Sequence, residues 1–218
     1  SVIKWREPFL NLLFPPRCLR CQNNLAYGLC ADCVAVQASI ELHQVELPGV
    51  GIVYFACLYE DWVKAALHRL KFKGRRGVGL ELGRYIFTPT LLDQLPDFDV
   101  LVPVPLHWSK RWQRGFNQVD VLFEPVRHHR AACYLTAVRR MRRSPPLFGL
   151  SRAQRQVVMS NIFAAPKNLA AQLAGARVLI LDDIVTTGST VGELAKLLRA
   201  QGAQSVSVLA LAYTALKS

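Results

Sequence analysis

The stretch VLILDDIVTTGSTVGELAKLLRAQGAQSVSVLAL, residues 178–211, decides the fold class. Residues 178–181 are a short continuous apolar run, the pattern of a buried strand, and they end in Asp182 and Asp183. A loop of Thr, Ser and Gly follows, then a helical pattern over 190–201. Gly202 closes it, because glycine tolerates the left-handed conformation found just past helix ends. Another apolar run over 205–212 completes a strand, loop, helix, strand unit of the parallel kind. At the C-terminal edge of such a sheet, the loop offers backbone N–H groups to an anion at the helix N-terminus. Thr186, Thr187, Ser189 and Thr190 add hydroxyl donors, and Gly188 lets a ligand approach the backbone closely. Two carboxylates touching that same anion would repel it, so Asp182 and Asp183 must face ribose hydroxyls or a metal ion. Ribose 2- and 3-hydroxyls fit. A Walker loop is excluded, since it needs Gly-Lys followed by Ser or Thr. A capped helix after an ordinary strand accounts for the hydroxyls but leaves the paired acids unexplained.

Outward from this unit the same alternation recurs. Strands are expected at 53–58, 100–103, 133–138, 177–181 and 205–212, and helices at 61–72, 79–92, 117–127 and 190–201. The fold class is therefore α/β, a mostly parallel sheet flanked by helices. A chain of 218 residues holds one such domain of ~150–170 residues plus a small appendage, so the boundary is placed between 1–50 and 51–218. With 51% hydrophobic and 19% charged residues, disorder is excluded as the main state.

The appendage carries CLRCQNNLAYGLCADC. Cys18 and Cys21 are separated by eight residues from Cys30 and Cys33, and two C-x-x-C knuckles suit one tetrahedral zinc ion. With all four positions filled by protein the ion would be structural, compensating for a core that so few residues cannot build. Disulfides compete with this reading, but the chain shows no export signal and is expected in the cytoplasm. Cys57 and Cys133 sit among apolar neighbours and are expected to be buried. Trp5, Phe9 and Leu12 or Leu13 recur at helical spacing over 2–14; that face docks on the rest of the chain or, with Lys4 and Arg6, touches the inner face of a membrane. No apolar run is long enough to span a bilayer.

The formal charge is +12, and eleven Lys and Arg against Asp120 and Glu124 place +9 of it between Lys110 and Arg155. This favours polyanions over a merely solvated face. In VPVPLHWSKRWQRGFNQ, Pro105 stops the strand and a loop presents Lys110, Arg111 and Arg114, cations suited to phosphate contact. Trp108, Trp112 and Phe116 interleave with them, either to stack on single-stranded bases or to cover the core.

Taken with LHRLKFKGRRGVGLELGRY and LFGLSRAQRQ, these segments resemble the ComF family, including its GntX-type members, and LILDDIVTTGST resembles the signature of type I phosphoribosyltransferases. Two departures stand out. The chain has one set of four cysteines rather than a double ribbon, and Leu147 stands where relatives often have Gln. The resemblance implies a phosphoribosyl pyrophosphate (PRPP) site with Mg²⁺. Asp182 and Asp183 would act on the ribose and, indirectly, the ion. Thr186 through Thr190 would take the 5-phosphate, and Lys71, Lys110, Arg111 and Arg114 the diphosphate. It further implies a basic hood over residues 139–155, in which Arg139, Arg140, Arg142 and Arg143 would bind nucleic acid. The implied role is natural transformation, handling incoming single-stranded DNA with DNA-uptake proteins; the alternative is an active phosphoribosyltransferase with an unknown base or nucleotide acceptor.

Overall fold

Strands covered on both faces read as continuous apolar runs, and those of this protein do so because helices cover both faces of one sheet. The computed structural model describes residues 18, 20–21, 23, 30–36, 40–73, 76–141 and 162–214. Six strands, β1 (His43–Leu47), β2 (Gly51–Leu58), β3 (Val100–Pro103), β4 (Cys133–Tyr134), β7 (Arg177–Val185) and β8 (Ser205–Tyr213), form a sheet in the order β1-β2-β8-β7-β3-β4. Only the β1–β2 pair is antiparallel. A separate antiparallel pair joins β5 (Arg139–Arg140) to β6 (Phe163–Ala164).

Side chains alternate across the pleat, so successive residues feed two cores. Leu101, Leu179, Leu181, Leu209 and Leu211 face one core with α2 (Asp61–Lys73), α3 (Arg76–Ile86), α4 (Pro89–Leu92), α6 (Gln118–Leu122) and α7 (Glu124–His129). Val100, Val102, Val178, Ile180 and Val208 face the other, with α8 (Leu169–Leu173) and α9 (Ser189–Ala200). In α3, glycine spacing sets the approach to α6: a Cβ on Gly83 would stand 2.1 Å from the Leu122 carbonyl oxygen, and one on Gly79 would stand 2.8 Å from Val121.

Several elements differ from expectation, each for a local reason. The helix expected over 79–92 starts earlier and splits into α3 and α4, where Pro89 opens a new helix capped by Thr88. The one over 117–127 divides at Phe123, where Pro125 removes a donor. The strand expected over 133–138 pairs only at Cys133 and Tyr134, and its exposed edge leaves Cys133 exposed rather than buried; Cys57 is buried as expected. The expected loop over 104–116 contains a helix, α5 (Trp108–Arg114), capped by His107 and closed by Gly115 at φ 75°. α1 (Ala31–Val36) and the short polar β1 had no clear pattern; β1 lies before the expected boundary at residue 50 yet pairs with β2. The apolar helix expected over 2–14 lies outside the described residues.

Candidate functional site

Strand register opens the site. β3 stops at Pro103, opposite Leu181, while β7 runs on to Val185 beside β8, pairing Asp182 with Ala210, Ile184 with Ala212 and Val185 with Tyr213. The two acids thus lie within β7 rather than past its end, because β8 continues to supply partners. Val104 donates one more hydrogen bond, N to the Leu181 oxygen at 2.8 Å, before Pro105 turns the chain away. The connection from β7 leads to β8 on one side, and β4 lies beyond β3 on the other. Where strand order reverses in this way, loops part and a crevice forms at the C-terminal edge. A cleft of about 370 Å³ occupies this place.

Asp182 and Asp183 line the cleft and are 8% and 6% exposed. The Asp183 N–H donates to Asp182 Oδ1 at 2.9 Å, and the Ile184 N–H to Asp183 Oδ1 at 3.1 Å. Burial, reinforced by the neighbouring Asp183 carboxylate, pushes the Asp182 carboxyl well above the usual carboxylate range. Asp183 is ion-paired with Lys71, which reaches the cleft from α2.

Lys110 and Arg114 of α5 and Arg140 of β5 also line the cleft. Gln118, 5% exposed, accepts a 2.8 Å hydrogen bond from Arg114 Nη1 and so orients that guanidinium. Burial lowers the pKa of both Arg114 and Arg140 from the ordinary arginine value, opposed by Asp183 and Asp182 respectively. Among the expected phosphate-loop residues, Thr186 and Thr190 line the cleft. The Thr187 and Ser189 hydroxyls lie 2.8 Å apart, and Thr187 is exposed. Gly188 has φ 75°, and a Cβ there would stand 3.0 Å from Leu47 and 3.1 Å from Val50. What crowds this glycine is thus the β1–β2 hairpin packed behind the loop.

Arg111 is exposed and does not line the cleft; Arg139 is exposed, while its neighbour Arg140, expected on a nucleic-acid surface, turns into the cleft. Alternation along β5 separates these two arginines. Arg142, Arg143 and the rest of the expected hood to residue 155 lie outside the described residues. Sequence reasoning missed Gln118 and Tyr59 as cleft residues. The i,i+4 spacing of Arg114 and Gln118 was a readable signal for the first; nothing local marked Tyr59.

The sulfurs of Cys18, Cys21, Cys30 and Cys33 all lie within 4.8 Å of one another, with Cys21 and Cys30 at 3.7 Å. Four thiolates at ~2.3 Å from a tetrahedral ion would stand roughly 3.8 Å apart, so the set fits a metal such as zinc. Burial disfavours the Cys18 thiolate, yet hydrogen bonds from backbone N–H groups at Cys30, Cys21 and Arg20 bring its pKa down to about 6. The cluster is tied to α3 by Tyr85, whose hydroxyl donates to the Cys33 carbonyl at 3.3 Å. No helix among the described residues is long and apolar enough to cross a membrane.

A family model described as "Phosphoribosyl transferase domain" matches residues 128–216. Over 93% of this chain and 99% of the relative, the sequence is 32% identical to "DNA utilization protein YhgH" of Salmonella typhimurium. It is 29% identical to "Competence protein F" of Haemophilus influenzae, covering 90% of this chain and 84% of that protein. It is likewise 29% identical to "Competence protein ComFC" of Bacillus subtilis, covering 88% and 74%.

Proposed function

The chain belongs to the ComF family of competence and DNA-utilization proteins and carries a phosphoribosyltransferase domain, and from that premise we propose that its cleft binds PRPP and that the protein handles incoming single-stranded DNA during natural transformation in the cytoplasm. The observation that supports the first half is that two buried acids and four cations, Lys71, Lys110, Arg114 and Arg140, line one cleft. Asp182 and Asp183 accept hydrogen bonds from the ribose hydroxyls. The amides and hydroxyls of Thr186 through Thr190 take the 5-phosphate at the start of α9, where the helix dipole favours negative charge. Lys110, Arg114 and Arg140 take the diphosphate, with Lys71 between it and Asp183. Hard carboxylate oxygens beside such a ligand fit Mg²⁺, which supplies further charge neutralisation when PRPP binds.

Titration with Mg²⁺ and PRPP tests this, with inorganic pyrophosphate as the control ligand. Asp182→Ala with Asp183→Ala should weaken PRPP binding by ~100-fold or more, since both sugar contacts go. Pyrophosphate binding should hold or strengthen, because acidic groups that disfavour an anion leave a cationic cleft. Equal losses of both ligands would count against the assignment of the acids to the sugar.

The cations around the cleft also favour a second reading, an active transferase. They would offset the negative charge that develops as diphosphate leaves the anomeric carbon. Pyrophosphate release from PRPP, measured with free bases and with oligonucleotides, separates transfer from binding alone.

For DNA, the support is the +9 balance between Lys110 and Arg155 and the names of the relatives. Affinity for single strands should fall steeply with salt as phosphate counterions are released, and Arg139→Ala combined with Arg142→Ala and Arg143→Ala should flatten that slope. A salt-independent affinity would remove the DNA half of the proposal.

A further inference from the structure

Trp108 and Trp112 are 71% and 87% exposed, a large amount of aromatic surface to leave in water. They stand four residues apart on α5, so they share one face of the helix. Lys110 and Arg114, also four apart, line the cleft from a face about 200° further round at ~100° per residue. Arg111 is exposed, does not line the cleft and sits about 60° from both Trp108 and Arg114, at the border between the two faces. A parallel bridge between His107 and Arg140 puts Trp108 and Met141 each one residue past a paired position, and Met141 is 57% exposed. Phe116, the third aromatic of the segment, is buried under Arg76, whose Cζ lies 5.7 Å from the ring centroid. Covering the core therefore accounts for Phe116 and leaves the two tryptophans without that role.

The geometry points to the outward face of α5, Trp108 with Arg111 and Trp112, as a base-stacking platform for single-stranded nucleic acid, separate from the cleft that the same helix lines with Lys110 and Arg114. This rests on the DNA half of the proposed function and names the surface that performs it. The occupant follows from the chemistry. Indole faces accept any base, a guanidinium beside Trp108 meets the backbone phosphate, and the surrounding segment carries an excess of cations that an ordinary apolar protein partner would not match. Duplex DNA hides its base faces and can use only the cations. The two sites meet through one seven-residue helix with no buried residue, so the strand and the phosphate ligand are held on opposite sides of a single element.

The test is binding of a fluorescent oligothymidylate to the full chain, with a duplex of equal length and inorganic pyrophosphate as parallel ligands. Trp108→Ala with Trp112→Ala should weaken oligothymidylate binding about thirtyfold or more, taking the lower end of the stacking range for each ring. Duplex and pyrophosphate affinities should stay within twofold, and Trp108→Phe with Trp112→Phe should restore most of the loss. Oligothymidylate binding that is strong in the unsubstituted chain and unchanged in the alanine pair would overturn the platform while leaving DNA handling standing. No binding by the unsubstituted chain would sink DNA handling itself. Concentration-dependent self-association that disappears in the alanine pair, with strand binding unaffected, would assign the face to a second copy of the chain and overturn the inference.

Discussion

Asp182 and Asp183 follow one another in β7, and an ordinary strand would send their carboxylates to opposite faces. Both reach the cleft because the neighbouring strand has ended at Pro103, so the space above β3 is open to either side. The cost of this placement falls on Asp182, whose burial beside a second carboxylate favours its neutral form. An acid whose folded-state pKa is raised stabilises the fold below its unfolded value and loses that contribution as pH rises toward the folded one. Asp182→Asn keeps an acceptor for the Asp183 N–H and removes the charge. The variant should therefore melt higher than the unsubstituted chain, by a margin that widens as pH rises from the ordinary value of 3.8 toward the raised folded one, while its PRPP affinity falls. Thermal melting across that range checks the first part; a margin that narrows with rising pH would contradict the burial argument. Lys71 acts in the opposite sense, supplying the charge that Asp183 needs inside the protein.

At the scale of elements, the cleft depends on how closely α3, α6 and the β1–β2 hairpin approach their neighbours. Gly83 lets α3 lie against the backbone of α6, whose first residue, Gln118, orients Arg114. Alanine would gain up to ~1 kcal/mol of helix propensity at that position. It would also place a methyl 2.1 Å from a carbonyl oxygen that belongs to backbone and cannot rotate away. Gly83→Ala should thus destabilise by a net ~2 kcal/mol or more, lowering the thermal midpoint by roughly 4–8 °C for a domain of this size. A neutral or raised midpoint would show that the two helices slide apart freely. Gly188 makes the same point on the other side of the site, where positive φ and the nearness of Leu47 and Val50 coincide.

For the whole molecule, the four-cysteine cluster meets the helices of the sheet at α3, where the Tyr85 hydroxyl bonds the Cys33 carbonyl, and we propose that the two fold as separate units. We propose zinc in this cluster, and one zinc per chain is the expected stoichiometry. Four thiols drawn together at 4.8 Å or less repel as thiolates unless a cation holds them, so chelation should open residues 18–36 to proteolysis. The sheet buries its own core and should remain folded, retaining pyrophosphate binding; limited proteolysis with and without chelator, followed by ligand titration, reads both effects. Loss of the entire fold on chelation would mean that the cluster and the sheet are one cooperative unit.

Much of this was legible in the chain itself because it depends on local chemistry. Apolar runs marked β2, β3, β7 and β8, two C-x-x-C pairs marked the four-cysteine cluster, and the paired acids before a Thr-Thr-Gly-Ser-Thr turn marked the end of β7 and the loop that borders the cleft. Prolines 89 and 125 were visible too, yet their effect was underestimated: each divided what read as one helix. Other features came only from assembly. Which cations share the cleft could not be read from their order, because Arg139 and Arg140 part across a strand, Arg114 lines the cleft while its helix neighbour Arg111 does not, and Lys71 arrives from a distant helix. Sequence determines what a residue can do and which face of its own element it occupies. Where two strands end relative to each other, and therefore which faces look into the same space, is set by pairing between segments far apart in the chain, and only the tertiary structure decides it.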